Sequence, residues 1–174
     1  MPNAALSRRR WCQAGLGLGT AWLVTACGFE LRRAPDFAFQ TLFCSLPENQ
    51  PIWLNLRRQL EASGKVEVIT DVRQVERAQV LFEQLQEQRE RVIVGRTATG
   101  AIREFQLRLR YRFRVRSYTG KELVPDTPLI LTRDVSYNET GALSKESEVG
   151  LLFRDMESDL VQQIMRRLAA VRTL

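Results

Sequence analysis

Residues 105–116 alternate without a break. Phe105, Leu107, Leu109, Tyr111, Phe113 and Val115 hold the odd positions, and Gln106, Arg108, Arg110, Arg112, Arg114 and Arg116 hold the even ones. A period of two places the two sets on opposite faces, which predicts a half-buried strand. Tyr118-Thr119-Gly120-Lys121 then reads as a hairpin turn, and residues 129–137 as the returning strand. Pro125 and Pro128 ahead of it fit an edge or a bulge. Upstream, residues 39–46 read as a strand closed by Pro47, 66–70 as a second and 78–85 as a third, with 91–96 extending it. The apolar parity shifts between Phe82 and Leu85, which predicts a bulge there.

Two stretches change to the helical period. Pro51 suits a first helical turn, Trp53, Leu56 and Leu60 recur at spacings of three and four, and Gly64 marks a stop. Val149, Leu152, Phe153, Met156, Leu160, Ile164 and Leu168 trace a longer helix over 145–171, with Ser144 as its N-cap. The order β-α-β-β-β-β-α predicts an α+β fold: a two-layer sandwich, with two helices packed on one face of a mostly antiparallel sheet of four to five strands.

The N-terminus has a different composition. Arg8-Arg9-Arg10 precedes an uncharged apolar stretch of 13 residues, Ala14 to Ala26. About 20 are needed to span a bilayer, so this fits the core of a signal peptide. It ends in Val24-Thr25-Ala26-Cys27, which resembles the bacterial lipobox. The expected organisation is therefore a signal peptide over 1–26, a lipidated tether over 27–38 and a folded domain over 39–174. Each acyl CH₂ buried contributes about 0.8 kcal/mol, so the diacylglycerol and N-acyl chains on Cys27 would make a stable anchor. Gly28 rather than aspartate after the cysteine favours the outer membrane, by likeness to other lipoproteins. Ser7-Arg8-Arg9-Arg10-Trp11 also resembles a twin-arginine signal, and the general and twin-arginine routes both stay open.

Net charge is +6, and falls to +3 once Arg8, Arg9 and Arg10 are removed, too little to argue for nucleic acid. There is no histidine, which excludes Ser-His and Cys-His hydrolases and His-ligated zinc. No metal-ligand spacing, nucleotide loop or nucleophile elbow occurs, so neither a metal nor a cofactor is expected. Cys44 reads as a small buried hydrophobe, with a Cys27–Cys44 disulfide as the alternative without lipidation.

The chemistry lies in basic residues. Arg108, Arg110, Arg112, Arg114 and Arg116 are spaced about 6.7 Å apart on one strand face, a row of about 27 Å. Either carboxylates such as Glu83, Glu87 or Asp134 answer them, or the row is an electropositive stripe for phosphates or an acidic partner. Lys145, at a helix start where acidic residues belong, is either an ordinary surface lysine or part of an anion site. Arg133 shares parity with Leu131, Val135 and Tyr137 and should turn inward, unless a bulge rotates it out. An inward arginine would need a buried acceptor.

Several segments together resemble the LptE (RlpB) family of lipopolysaccharide-assembly lipoproteins. These are Cys27-Gly28-Phe29-Glu30-Leu31-Arg32, the alternating Phe105-Gln106-Leu107 strand, Arg133-x-x-x-Tyr137-Asn138, Leu143-Ser144-Lys145-Glu146-x-Glu148, Met156-x-x-Asp159-Leu160 and Arg167-Leu168. The resemblance implies two helices on a mainly four-stranded sheet and a place at the inner leaflet of the outer membrane, on its periplasmic side; the missing catalytic motifs, and carboxylates that no special setting marks out, argue against an enzyme. It implies the β-barrel protein LptD as partner, plugged by this domain, and lipopolysaccharide as ligand. It also implies a ligand-binding role for the basic residue at Lys145 and for one in the loop before the long strand, where Arg96 is the nearest here; Arg133 joins this set. Two other functions fit the residues: a plug that binds no ligand, and a carboxylate-based cell-wall hydrolase.

Overall fold

The computed structural model of the chain describes residues 35–137 and 142–174, with side chains from 145 onward in the last helix. The leader, Cys27 and the first part of the tether lie outside them. The elements are β1 (Thr41–Phe43), α1 (Pro51–Ala62), β2 (Glu67–Ile69), a 3-10 turn (Val72–Arg77), β3 (Val80–Arg96), β4 (Ile102–Ser117), β5 (Glu122–Ser136) and α2 (Ala142–Ala170). The five strands form one sheet in the order β2-β1-β3-β4-β5. β1 runs parallel to both β2 and β3, whereas β3, β4 and β5 form a long antiparallel meander. Antiparallel pairing therefore dominates by length, and the expected two-layer α+β architecture is the one observed.

The alternation in β4 sets the layers. Phe105, Leu107, Leu109, Tyr111, Phe113 and Val115 are all buried on the helix-covered face. They pack in one cluster with Ile52, Trp53, Leu56 and Leu60 of α1 and with Val149, Met156, Leu160, Val161, Ile164 and Leu168 of α2. Burial of each such side chain contributes about 1.5–3 kcal/mol. α2 also touches α1 through Gln162 and Gln59, 2.9 Å apart. Beside that contact Val161 and Met165 are buried beyond the single predicted stripe, while Leu152 and Phe153 are only partly buried. At the end of α1, Gly64 has φ +66, the left-handed conformation of a helix stop.

The predicted bulge is present. Gln84 pairs with Phe113 and Gln86 with Arg112, which leaves Leu85 unpaired. The parity of β3 inverts there. Val80, Phe82 and Gln84 share the helix side before it; Glu87, Arg89 and Arg91 take that side after it, opposite Tyr111, Leu109 and Leu107.

Four boundaries depart from expectation. β1 leaves the ladder at Phe43, although Cys44 N–H still donates to Ile69 C=O at 3.0 Å. Residues 72–77 form a 3-10 turn, capped by the Asp71 carboxylate accepting from Arg73 N–H at 2.9 Å. β5 begins at Glu122 rather than 129 and, as an edge strand, carries both Pro125 and Pro128 without losing inner ladder bonds. α2 begins at Ala142, so Ser144 lies inside the helix and is not its N-cap.

Candidate functional site

The arginine row lies on the face of the sheet opposite the helices, and it is largely answered. Arg114 and Arg116 share the carboxylate of Glu83, Arg112 pairs with Asp126, and Arg110 lies 3.6 Å from Glu90. Arg108 Nε donates to Gln106 Oε1 at 2.7 Å and has no carboxylate among the described residues. Two expected partners are otherwise engaged. The Leu85 bulge turns Glu87 to the helix side, where it holds Arg89 at 2.8 Å. Asp134 accepts from Gln106 Nε2 at 2.8 Å. Burial alone would raise the Glu83 carboxyl, but hydrogen bonds from Arg116 and Arg114 outweigh it and hold it below the usual carboxylate range.

Lys145 stands in the first turn of α2, and its Nζ donates to Glu148 Oε2 at 2.8 Å. The neighbouring Glu146 is bound by Arg91 of β3 at 2.9 and 3.2 Å, and this guanidinium holds the Glu146 carboxyl below its ordinary value. Arg91 also lies over the Phe105 ring, 5.0 Å from its centroid. Sequence reasoning passed over Arg91, because its place beside α2 depends on the parity inversion at Leu85.

Arg133 pairs in register with Leu107, so no bulge rotates it. It stays on the helix side, but its acceptor is exposed rather than buried: Nη2 reaches Asp159 Oδ2 of α2 at 3.0 Å. Asp159 is fourteen residues beyond Lys145, about 21 Å of helix rise, so the fold does not bring Arg133 and Lys145 into one pocket. Arg96 lies at the end of β3, where its Nη1 donates to Gly100 C=O at 3.0 Å. Cys44 is a free, fully buried thiol whose pKa burial pushes up to about 12, which makes it an inert core residue.

The described residues thus form a two-layer α+β domain whose sheet-face arginines are mostly paired with carboxylates. The chain belongs to the LptE lipopolysaccharide-assembly family, whose model matches residues 39–168. That family is non-enzymatic and uses no cofactor, which sets aside the cell-wall hydrolase. A comparison with curated proteins gives no match. Among solved structures, the chain is similar to an uncharacterized lipoprotein B from Nitrosomonas europaea, with 27% identity, 82% of this chain and 91% of that chain covered, and a TM-score of 0.69. It shares its fold with rare lipoprotein B from Shewanella oneidensis, at 19% identity, 75% and 94% coverage and a TM-score of 0.63. A minor lipoprotein from Acinetobacter baumannii has the same fold, at 20% identity, 78% and 94% coverage and a TM-score of 0.60.

Proposed function

We propose that the chain is cleaved before Cys27, acylated there, and held on the periplasmic side of the outer membrane. There it assembles with the LptD β-barrel as a plug and binds lipopolysaccharide in transit. Family membership carries the reading, and the Val24-Thr25-Ala26-Cys27 segment supports the anchor. For the ligand, the observation that matters is Lys145 in the first turn of α2, with Arg91 one residue away through Glu146. Lipid A phosphates would exchange for the carboxylates of Glu146 and Glu148, since a phosphate offers more acceptors to arginine and lysine than a solvated carboxylate does. Arg133, tied to Asp159, would serve as a separate contact.

A second reading is a plug that binds no ligand. It is favoured by one observation: Lys145, Arg91 and Arg133 each already have a carboxylate partner. Titrating the purified lipoprotein in detergent with lipopolysaccharide separates the two. Saturable binding that Lys145→Glu weakens supports the ligand site. Absence of binding together with intact recovery of the barrel supports the plug alone.

A further inference from the structure

On the face away from the helices, a groove of about 390 Å³ opens where β1 stops and β3 continues. Phe43, Leu46, Leu81, Phe82 and Leu85 supply its apolar lining, and Glu83 and Arg114 its charged rim. We propose that this groove docks an extended acidic peptide segment of the assembly partner, with one apolar side chain seated against Leu85 and a carboxylate facing Arg114 and Arg116.

Three observations converge on that occupant. Alternation with Leu81 and Glu83 puts Leu85 on the outward face, where the bulge leaves it without a cross-strand partner and 40% exposed beside the charged rim, and bulges are common beside functional sites. Arg114 and Arg116 share a single carboxylate, Glu83, so the rim carries one guanidinium in excess. β1 pairs with β3 only at Leu42↔Val80 and Phe43↔Leu81, so among the described residues no strand flanks β3 on that side beyond Leu81. Backbone groups on that stretch are satisfied by a peptide that adds along the edge, and not by an acyl chain. An apolar anchor in a pocket beside a paired charge is also the usual composition of an interface centre.

The inference rests on the assembly reading above. Its test places a benzophenone-bearing residue at position 85 of the full-length lipoprotein in native membranes and identifies the crosslinked peptide by mass spectrometry. The expected product joins position 85 to an extended segment of the β-barrel partner with an aspartate or glutamate within two residues. Leu85→Asp is expected to lower recovery of the barrel at least tenfold and Leu85→Ser at least threefold, with unchanged melting of the variants. Arg114→Ala should flatten the salt dependence of recovery. Leu151→Asp, 56% exposed on α2, is the control and should have no effect. A product with lipid or with a second copy of the chain would overturn the proposal, as would normal recovery of both Leu85 variants. Failure of the unaltered chain to recover any barrel would instead remove the assembly reading itself.

Discussion

Arg89 of β3 holds Glu157 of α2 through a 3.0 Å ion pair, and the pair exists because one unpaired residue, Leu85, inverts the parity of the strand between them and the sheet's start. Without that bulge Arg89 would point to the opposite face. The pair fastens the far half of the β3–β4 hairpin to the middle of α2, and Arg91–Glu146 fastens it to the first turn.

Glu157 is only 5% exposed, and burial raises its carboxyl above the ordinary value against the pull of Arg89 and Arg154; Glu87 pushes it the same way as burial. A carboxyl raised in the folded state contributes stability that is fully present below its unfolded pKa and is lost as pH rises through the folded one. Glu157→Gln removes that dependence, and Arg89 keeps Glu87 at 2.8 Å. The variant should melt at or above the unaltered protein at pH 7, with the difference shrinking as pH falls toward 4.5. Thermal melts between pH 4 and 8 check this. A variant that melts lower at pH 7 and gains nothing there would show the ionised pair to be net stabilising.

The spacing along α2 separates two arginine and lysine contacts that the sequence groups together. Lys145→Glu reverses charge beside Arg91 and Glu146 and should weaken lipopolysaccharide binding by about tenfold or more, on the order of 1.4 kcal/mol for each factor of ten. Arg133→Ala, on β5 with its partner Asp159 about 21 Å further along the helix, should change it by less than about threefold. Titration of both variants in detergent measures the ratio. Equal losses would place the two side chains in one site.

Core truncation calibrates the scale of the other effects. Leu56 of α1 is fully buried in the cluster between helices and sheet. Leu56→Ala should destabilise by about 2–5 kcal/mol, visible as a lower urea midpoint with an unchanged slope.

How much of this was readable beforehand follows the physics of each element. β4 was legible because one face is covered and the other charged, so the period of two survives over its whole length. The Leu85 bulge was legible as a break in apolar parity. Its consequence was not, because the side on which Glu87, Arg89 and Arg91 land depends on the register with β4, which no single strand's pattern contains. Glu87 was therefore expected to answer the arginine row and does not, whereas Asp126 does, from a part of β5 that its prolines had hidden. The 3-10 turn carries no periodic signal beyond the Asp71 cap. The expected start of α2 at Lys145 falls three residues late because Ser144 resembles a cap, whereas the helix begins at Ala142. Of the proposed ligand residues, Lys145 could be singled out from its position against the helix dipole, but Arg91 needed the fold.

Glu83 gives the last prediction. It accepts hydrogen bonds from both Arg114 and Arg116, and all three side chains are less than half exposed. Its carboxyl is held below the ordinary value despite burial, so its contribution is present above an unfolded pKa near 4.5 and is lost as pH falls through the folded one. Glu83→Gln leaves two adjacent guanidiniums with no carboxylate between them. The expected loss is about 1–2 kcal/mol at neutral pH and low salt, after allowance for solvent screening. Part of it should be recovered in high salt, which screens the repulsion between the arginines. It should also shrink below pH 4.5, where the carboxyl of the unaltered protein begins to protonate. Melts of the two proteins across both variables test the sign twice. A difference independent of salt and pH would mean that Glu83 acts by packing and not by charge.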